Sequence, residues 1–241
     1  QPVFLASAKE LVILLKKMNT SDLATLMNLS DALAQLNVER FANWSHEHPD
    51  LLRPCVYAYK GDVYEGLDIA KWDQADLSFA EATLRILSGL YGVLKPTDMI
   101  FPYRLEMGTN LANQKGKSLY QFWGDRISIA LNQALKEQET QKKVLLNLAS
   151  EEYFGAVNGK WVDAKIIQPV FKDEKNGAYK VISFFAKKAR GAMASWVIKN
   201  RLKDADDLKE CNLNGYVYHA ASSSDVHWVF QRSEKSRISI S

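Results

Sequence analysis

The chain has 241 residues, a formal net charge of +3 and a hydrophobic fraction of 47%, which is ordinary globular composition and excludes a disordered or fibrous chain. Two cysteines, Cys55 and Cys211, are too few and too far apart for a disulfide framework or a zinc motif, which suits a reducing cytoplasm. No apolar run reaches the roughly 18–20 residues that span a bilayer, so no membrane association is expected.

The first part of the chain has helical patterns. Apolar residues recur with helical spacing over Leu5–Met18, and cap residues at Asn19–Asp22 and at Ser30 or Asp31 precede two further apolar patterns. None of the three predicted helices carries a catalytic constellation. We therefore interpret them as packing elements.

Strand-like and helical patterns alternate in the middle of the chain. Cys55–Tyr59 is a β-prone run and Val144–Leu148 is an uninterrupted apolar run, so both are predicted to be strands. Phe79–Leu87 and Tyr120–Leu135 have the apolar spacing of helices.

Two hairpins are predicted towards the C-terminus. Ile166–Phe171 and Tyr179–Phe185 flank the dipeptide Asn176-Gly177, whose residues both tolerate positive φ. Tyr216–Tyr218 and Trp228–Phe230 flank a serine-rich turn. With no internal repeat and no long linker, residues 1–241 are predicted to form one α+β domain, a mixed sheet with surrounding helices.

Positive charge is concentrated in one segment. Between Lys175 and Lys203 there is no Asp or Glu, and a helical pattern begins near Ser183. At 100° per residue this helix would turn one apolar face to the core, and the opposite side would carry Lys187, Arg190 and Arg201. The core face consists of Phe185, Ala189, Met193, Trp196 and Val197.

A cationic surface of this kind needs an anionic partner, and nucleic acid or a phosphorylated ligand is the natural candidate. The segment offers no carboxylate for i,i+4 pairing, and small residues from Gly191 to Ser195 would let a phosphate backbone approach. The candidate phosphate contacts are Lys187, Lys188, Arg190, Lys199 and Arg201. An ordinary solvated helix face is the alternative.

Other polar residues follow predicted strands or lie in turns, where open α/β sheets place ligands. They are Lys60, Asp62, Tyr103, Arg104, Glu106, Asn147, Ser150 and Glu151. These residues could form a pocket for a small anionic or nucleoside-like substrate, or simply a network of helix caps and ion pairs. No catalytic residue is assigned. The four histidines lack the spacing of a metal pair, so no metal or other cofactor is expected.

Several motifs, in order along the chain, resemble the YaaA peroxide-stress family of bacteria. They include Lys60–Leu67, Leu87–Pro96, Pro102–Gly108, Leu119–Asp125, Asn147–Tyr153 and Phe185–Gly191. The resemblance runs from about Leu23 to the last strand. Members of the family usually begin with a short strand and a Ser-Pro-Ala-Lys segment, which we expect to precede Gln1 in the natural protein.

The resemblance implies a cytoplasmic protein that limits oxidative damage when peroxide and free iron threaten DNA. It also implies sequence-independent binding of DNA, taken here as duplex, through a positively charged cleft on an uncommon fold that contains a helix-hairpin-helix element. The best match to that element is the turn from Gly89 to Gly92, followed by Lys95. The alternative interpretation of Gly89–Gly92 is a glycine that ends a helix, followed by a plain turn. Whether chemistry follows binding, whether iron is bound directly, and the oligomeric state all stay open.

Overall fold

The computed structural model describes residues 1–138, 140 and 142–238. Its helices are α1 (Leu5–Leu15), α2 (Thr20–Met27), α3 (Asp31–Ala42), α4 (Cys55–Ala58), α5 (Asp62–Leu67), α6 (Gln74–Thr83), α7 (Leu119–Trp123), α8 (Arg126–Lys136), α9 (Glu151–Phe154), α10 (Ser183–Lys199) and α11 (Glu234–Ile238). Its strands are β1 (Arg53–Pro54), β2 (Ile86–Ser88), β3 (Gly92–Leu94), β4 (Met99–Ile100), β5 (Val144–Leu146), β6 (Lys165–Lys175), β7 (Ala178–Lys180), β8 (Val217–Tyr218) and β9 (His227–Arg232). The predicted α+β class is confirmed.

The fold separates into two compact units, each assembled from three stretches of chain. The first unit comprises Gln1–Ala58, Leu84–Ala134 and Ala149–Val162. The second comprises Tyr59–Thr83, Leu135–Leu148 and the chain from Asp163 onward. The single-domain organisation stays a prediction.

The first unit is mainly helical and contains two small antiparallel ladders. Helix α3 packs against α1 and α2, β1 pairs with β4, and β2 pairs with β3. The hairpin that joins β2 to β3 is buried, and it places the Tyr91 side chain at 0% exposure in the core.

The second unit is built on a mixed sheet in which β6 is the central strand. One side of β6 pairs in parallel with β5, and the other pairs in parallel with β9, which pairs antiparallel with β8. Strand β7 returns antiparallel along the last residues of β6. Alternate residues of β6 are buried, including Ile167, Phe171 and Asp173, because successive side chains of a strand point to opposite faces.

Helix α10 lies between this sheet and α5. Ala186, Ala189 and Met193 pack into the apolar cluster of the sheet, with Trp228 and Phe230. The opposite side of α10 contacts α5 so closely that a Cβ on Gly191 would lie 1.8 Å from the Val63 carbonyl oxygen. A Cβ on Gly66 of α5 would similarly lie 2.0 Å from the Lys188 carbonyl oxygen. The two glycines therefore permit the helix backbones to touch.

Local signals predicted several elements correctly. Asn176 and Gly177 have φ values of 55° and 75°, so the two-residue turn between β6 and β7 is confirmed. The last hairpin is also confirmed, as β8 and β9. The predicted strand over Cys55–Tyr59 is wrong, because Cys55–Ala58 is a short helix whose first two N–H groups donate to the carbonyls of residues 98 and 96.

Two predicted helices have different bounds in the structure. The helix expected over Phe79–Leu87 ends at Thr83, and the chain then enters β2. The single helix expected over Tyr120–Leu135 is split at Gly124, whose φ of 50° ends α7 before α8 begins.

The close crossing of α5 and α10 leads to a stability prediction. Gly191→Ala and Gly66→Ala should each lower the free energy of unfolding by about 1–3 kcal/mol, because the new methyl group meets backbone that cannot rotate away. Thermal unfolding of each variant measures this loss. In an open helix the same change would raise stability by about 0.5–1 kcal/mol, so an unchanged or raised Tm would contradict the close crossing.

Candidate nucleic-acid interface

The predicted basic helix exists, but its last cation does not lie on it. Helix α10 ends at Lys199, with Asn200 as its C-cap. Arg201 follows with a φ of 48°, in the left-handed region, so it leaves the helical row on which it was placed beside Lys187 and Arg190. That part of the prediction is wrong because the helix ends two residues before Arg201.

Carboxylates from α5 and α6 lie beside three of the five candidate cations. Lys188 Nζ is 2.9 Å from Glu65 Oε2, and Lys187 Nζ is 4.0 Å from Asp62 Oδ2. Arg201 Nη2 is 3.1 Å from Oδ1 of Asp76, a residue that is 3% exposed. The segment itself lacks acidic residues, as predicted, yet the fold supplies them from a part of the chain more than a hundred residues earlier.

Arg190 differs from those three cations. It is half-buried, and burial lowers the pKa of its guanidinium. Its Nε donates to the Ala186 carbonyl oxygen at 3.4 Å, one turn back in the helix. No carboxylate forms an ion pair with Arg190 among residues 1–138, 140 and 142–238.

The fifth candidate, Lys199, is exposed and donates from Nζ to the Lys71 carbonyl oxygen at 2.9 Å. Lys175, Lys180 and Lys203 are also exposed. Within the part of the chain that the structure describes, none of these four lysines forms an ion pair. The second unit therefore carries several exposed cations that form no ion pair within the described chain.

The small residues of α10 do not leave an opening for a phosphate backbone. Gly191 contacts the backbone of α5, Ala194 is 9% exposed, and the Ser195 hydroxyl accepts a hydrogen bond from Trp72 Nε1 at 2.8 Å. The expected approach path is thus filled by protein. Small residues suit a close helix crossing as well as they suit a ligand.

The placement of the helix-hairpin-helix element at Gly89–Gly92 is wrong, because this turn is flanked by strands β2 and β3 of the first unit rather than by two helices, and the element itself stays a prediction. A Cβ on Gly89 would lie 2.4 Å from the Leu105 carbonyl oxygen, and a Cβ on Gly92 would lie 2.8 Å from the Trp123 ring. Both glycines are buried, so they serve packing rather than contact with phosphate. Lys95 is exposed, and its N–H donates to Asp98 Oδ2 at 2.8 Å.

Five of the eight candidate pocket residues belong to the first unit, where each has a local structural role or an exposed position. Arg104 and Glu106 form an ion pair at 2.7 Å, and the Tyr103 and Ser88 hydroxyls are hydrogen-bonded at 2.6 Å. Ser150 caps α9 by accepting from the N–H of residue 153, and the exposed Glu151 occupies the first turn of that helix.

The other three belong to the second unit. Lys60 is exposed, Asp62 lies in the first turn of α5, and Asn147 is buried. The N–H of Asn147 donates to the Ile167 carbonyl oxygen at 2.8 Å, which extends the β5–β6 ladder. Within each unit these residues fit the network of caps and ion pairs that was the alternative to a pocket.

Neither cysteine is placed to react with peroxide. Cys55 is 0% exposed and Cys211 is 2% exposed, and burial raises the pKa of the Cys211 thiol to about 12. Because the thiolate is the reactive form, Cys211 is a poor nucleophile. Among the described residues, no group of three or more His, Cys, Asp or Glu side chains is arranged to hold a metal ion. In the same part of the chain, no helix is long and apolar enough to cross a membrane.

Sequence patterns did not reveal a buried polar network around Tyr91 in the first unit. Its hydroxyl oxygen accepts from Trp44 Nε1 at 3.0 Å and from the Phe101 N–H at 3.2 Å. These two donors fill both lone pairs, so the hydroxyl hydrogen points to His46 Nε2 at 3.2 Å. His46 must then be neutral, and its pKa is lowered by burial and by the nearby charge of Lys9.

The network predicts acid sensitivity. The folded pKa of His46 lies below its unfolded value of about 6.5. Between these two pKa values the folded state therefore binds fewer protons than the unfolded state. The free energy of unfolding should therefore fall as the pH drops below about 6.5 and through the folded pKa. Urea unfolding at pH 7.5 and pH 5 should show a smaller loss for His46→Gln than for the wild type. Equal losses in the two proteins would contradict this role.

A family model described as peroxide stress protein YaaA matches residues 1–222. This match covers most of the chain, so the chain belongs to the peroxide stress protein YaaA family. The family supports a role in the peroxide stress response.

Proposed function

We propose that this member of the peroxide stress protein YaaA family binds duplex DNA, largely without sequence specificity, through cations of its second unit. Binding would limit the damage that iron and peroxide cause to DNA. A cytoplasmic location fits two buried cysteines that form no disulfide with each other. The positively charged cleft implied by the family resemblance stays a prediction.

Arg190 is the observation that carries the proposal. A partly desolvated guanidinium is costly unless an anion compensates it, and the described residues provide no carboxylate partner. Phosphate offers the missing charge together with acceptors that match the planar guanidinium. An external anion at Arg190 would account for a charge that the fold leaves uncompensated.

Neighbouring cations can extend one phosphate contact into a strand-binding surface. Lys187 lies one turn before Arg190, and its side chain is about half exposed and only loosely held by Asp62 at 4.0 Å. A phosphate can compete with a contact of that length. The exposed Lys175, Lys180, Lys199 and Lys203 add charge that no ion pair neutralises within the described chain. Such contacts reach only the sugar-phosphate backbone and do not identify the bases.

The same electrostatics would link binding to protection from iron. DNA is surrounded by condensed cations, and a protein that neutralises phosphates releases them. Ferrous ions held near the phosphates would be among the cations displaced. Iron that has left the duplex generates its radicals farther from the bases and sugars. Protection of this kind needs neither an active site nor a metal site in the protein.

Charge reversal at the proposed surface tests the function. Lys187→Glu/Arg190→Glu should weaken binding of a labelled duplex by roughly tenfold or more at about 50 mM salt, because two cations that hold phosphates become anions that repel them. The slope of log K against log salt should become shallower by about 0.9 for each phosphate that the variant no longer neutralises. Fluorescence anisotropy across a salt series measures both quantities.

The control for this variant is Lys16→Glu/Lys17→Glu, which changes the net charge equally at two exposed lysines after α1. It should bind much as the wild type does. If both double variants lose the same amount of affinity, net charge alone governs binding and the proposed site is wrong. If the Lys187→Glu/Arg190→Glu variant binds as tightly as the wild type, the proposed site is also wrong.

The carboxylates of α5 should oppose DNA binding. Asp62→Asn/Glu65→Gln removes the partners of Lys187 and Lys188, so each lysine no longer has to break an ion pair to reach phosphate. Exposed pairs contribute about 0.2–1 kcal/mol each, so the loss of two pairs should raise duplex affinity about twofold to thirtyfold at low salt.

Asp207→Asn/Glu210→Gln is the matched control for this second variant, since it removes two exposed carboxylates elsewhere in the same unit. Isothermal titration at low and high salt compares the two proteins. A rise in affinity of the same size in both would show that the α5 carboxylates have no special position.

A further inference from the structure

Large apolar side chains are exposed at the hairpin that leads into α10. Tyr179 is 41% exposed, Val181 is 55% exposed, and Phe184 in the first turn of α10 is 48% exposed. All three fall within six residues of chain. Exposed aromatic side chains grouped in this way mark contact surfaces more often than isolated ones do.

Several lysines lie near this patch, together with Glu174, which faces Tyr179 across the hairpin, and Glu65, which pairs with Lys188. Lys175 and Lys180 flank Tyr179 in the hairpin, and both are exposed. Lys188 Nζ lies 4.6 Å from the centre of the Phe184 ring, and Lys187 lies one turn beyond Phe184 on the same helix. The stretch from Lys175 to Lys203 contains no Asp or Glu. The patch therefore suits a ligand that has both negative charge and flat apolar faces.

We propose that Tyr179 and Phe184 form a stacking platform for unpaired bases of DNA, with the adjacent lysines holding the phosphates of the same strand. Proteins that bind single strands combine these two features, a cationic track for the backbone and aromatic rings on which the bases stack. The platform rests on the proposed function, because it assumes that DNA reaches the cations of this unit.

Strand geometry supports an exposed and well-defined platform. Among the described residues, strand β7 pairs only with β6, and the turn at Asn176 and Gly177 leaves both sides of the hairpin tip exposed. Tyr179 lies opposite Glu174 on one face, whereas Lys180 points to the other face. At the base of the hairpin, buried Asp173 accepts from Arg232 Nε at 2.8 Å and also from the Tyr216 hydroxyl. The tip can thus contact a ligand while the base stays anchored in the core.

The test compares strands that have equal charge but differ in their bases. Binding of a labelled single-stranded oligonucleotide of about ten nucleotides is measured beside that of an abasic strand of the same length and of a duplex. The wild type should bind the normal strand roughly tenfold more tightly than the abasic strand, because only the normal strand can stack. Tyr179→Leu and Phe184→Leu should each reduce that preference by a large share, and the double variant should remove most of it, while the affinity for the abasic strand stays unchanged in all three.

Two controls separate stacking from apolar contact and from misfolding. Phe184→Tyr keeps an aromatic ring and should keep the preference for bases. Val181→Ala changes an exposed apolar residue of the same hairpin without removing a ring, so it should bind as the wild type does. Circular dichroism and thermal unfolding check that each exposed-site variant folds.

The outcomes distinguish this inference from the proposed function. Equal binding of normal and abasic strands by a wild type that still binds duplex would overturn the platform alone. If the wild type binds neither of the single strands nor the duplex, DNA binding itself is overturned. If sedimentation shows a wild-type dimer that the leucine variants disrupt, while base preference is unchanged, the patch is a protein interface and the platform is wrong.

Discussion

The contact between the backbones of α5 and α10 is the constraint on which the second unit depends. Gly66 and Gly191 remove the two side chains that would keep these helices apart. Helix α10 is consequently covered on the side away from the sheet, and the first turn of α5 comes beside Lys187 and Lys188. A single close crossing thus decides both the packing of α10 and the electrostatics of its cations.

A buried charge network fixes the other side of α10. Asp173 of β6 is 0% exposed and accepts from Arg232 of β9, while the Arg232 guanidinium lies 5.0 Å from the centre of the Phe185 ring. The same guanidinium lies 4.2 Å from the centre of the Tyr216 ring. Removing one partner of such a pair leaves a buried charge uncompensated, so these residues hold one arrangement. The network ties the first turn of α10 to the sheet.

Local chemistry was enough to predict some elements but not the environment of the candidate site. The dipeptide Asn176-Gly177 requires a tight turn whatever surrounds it, so the sequence predicts that hairpin well. Gly191 is ambiguous, because a missing side chain suits a phosphate or a neighbouring helix equally. The carboxylates that face α10 come from residues 62 to 76, and no helical periodicity within the basic segment can reveal them. The acidic residues concentrated between residues 62 and 76 were the sequence signal that could have suggested ion-pair partners for α10.

Arg190 and Arg201 show how the fold sorts cations that look alike in sequence. Arg201 leaves the helix and meets Asp76, a nearly fully buried carboxylate, so its charge stabilises the unit itself. Displacing it with phosphate would strand Asp76 without its cation, which is unfavourable. Among the described residues, Arg190 has no carboxylate as an ion-pair partner, and Lys187 has only a distant one. The proposed phosphate contacts are therefore favoured at the N-terminal half of α10, next to Phe184 and the β6–β7 hairpin, whereas Arg201, just beyond the C-terminal end of the helix, stabilises the fold. The sequence does not distinguish the roles of these two arginines. Their roles depend on which arginine the fold places beside a buried carboxylate.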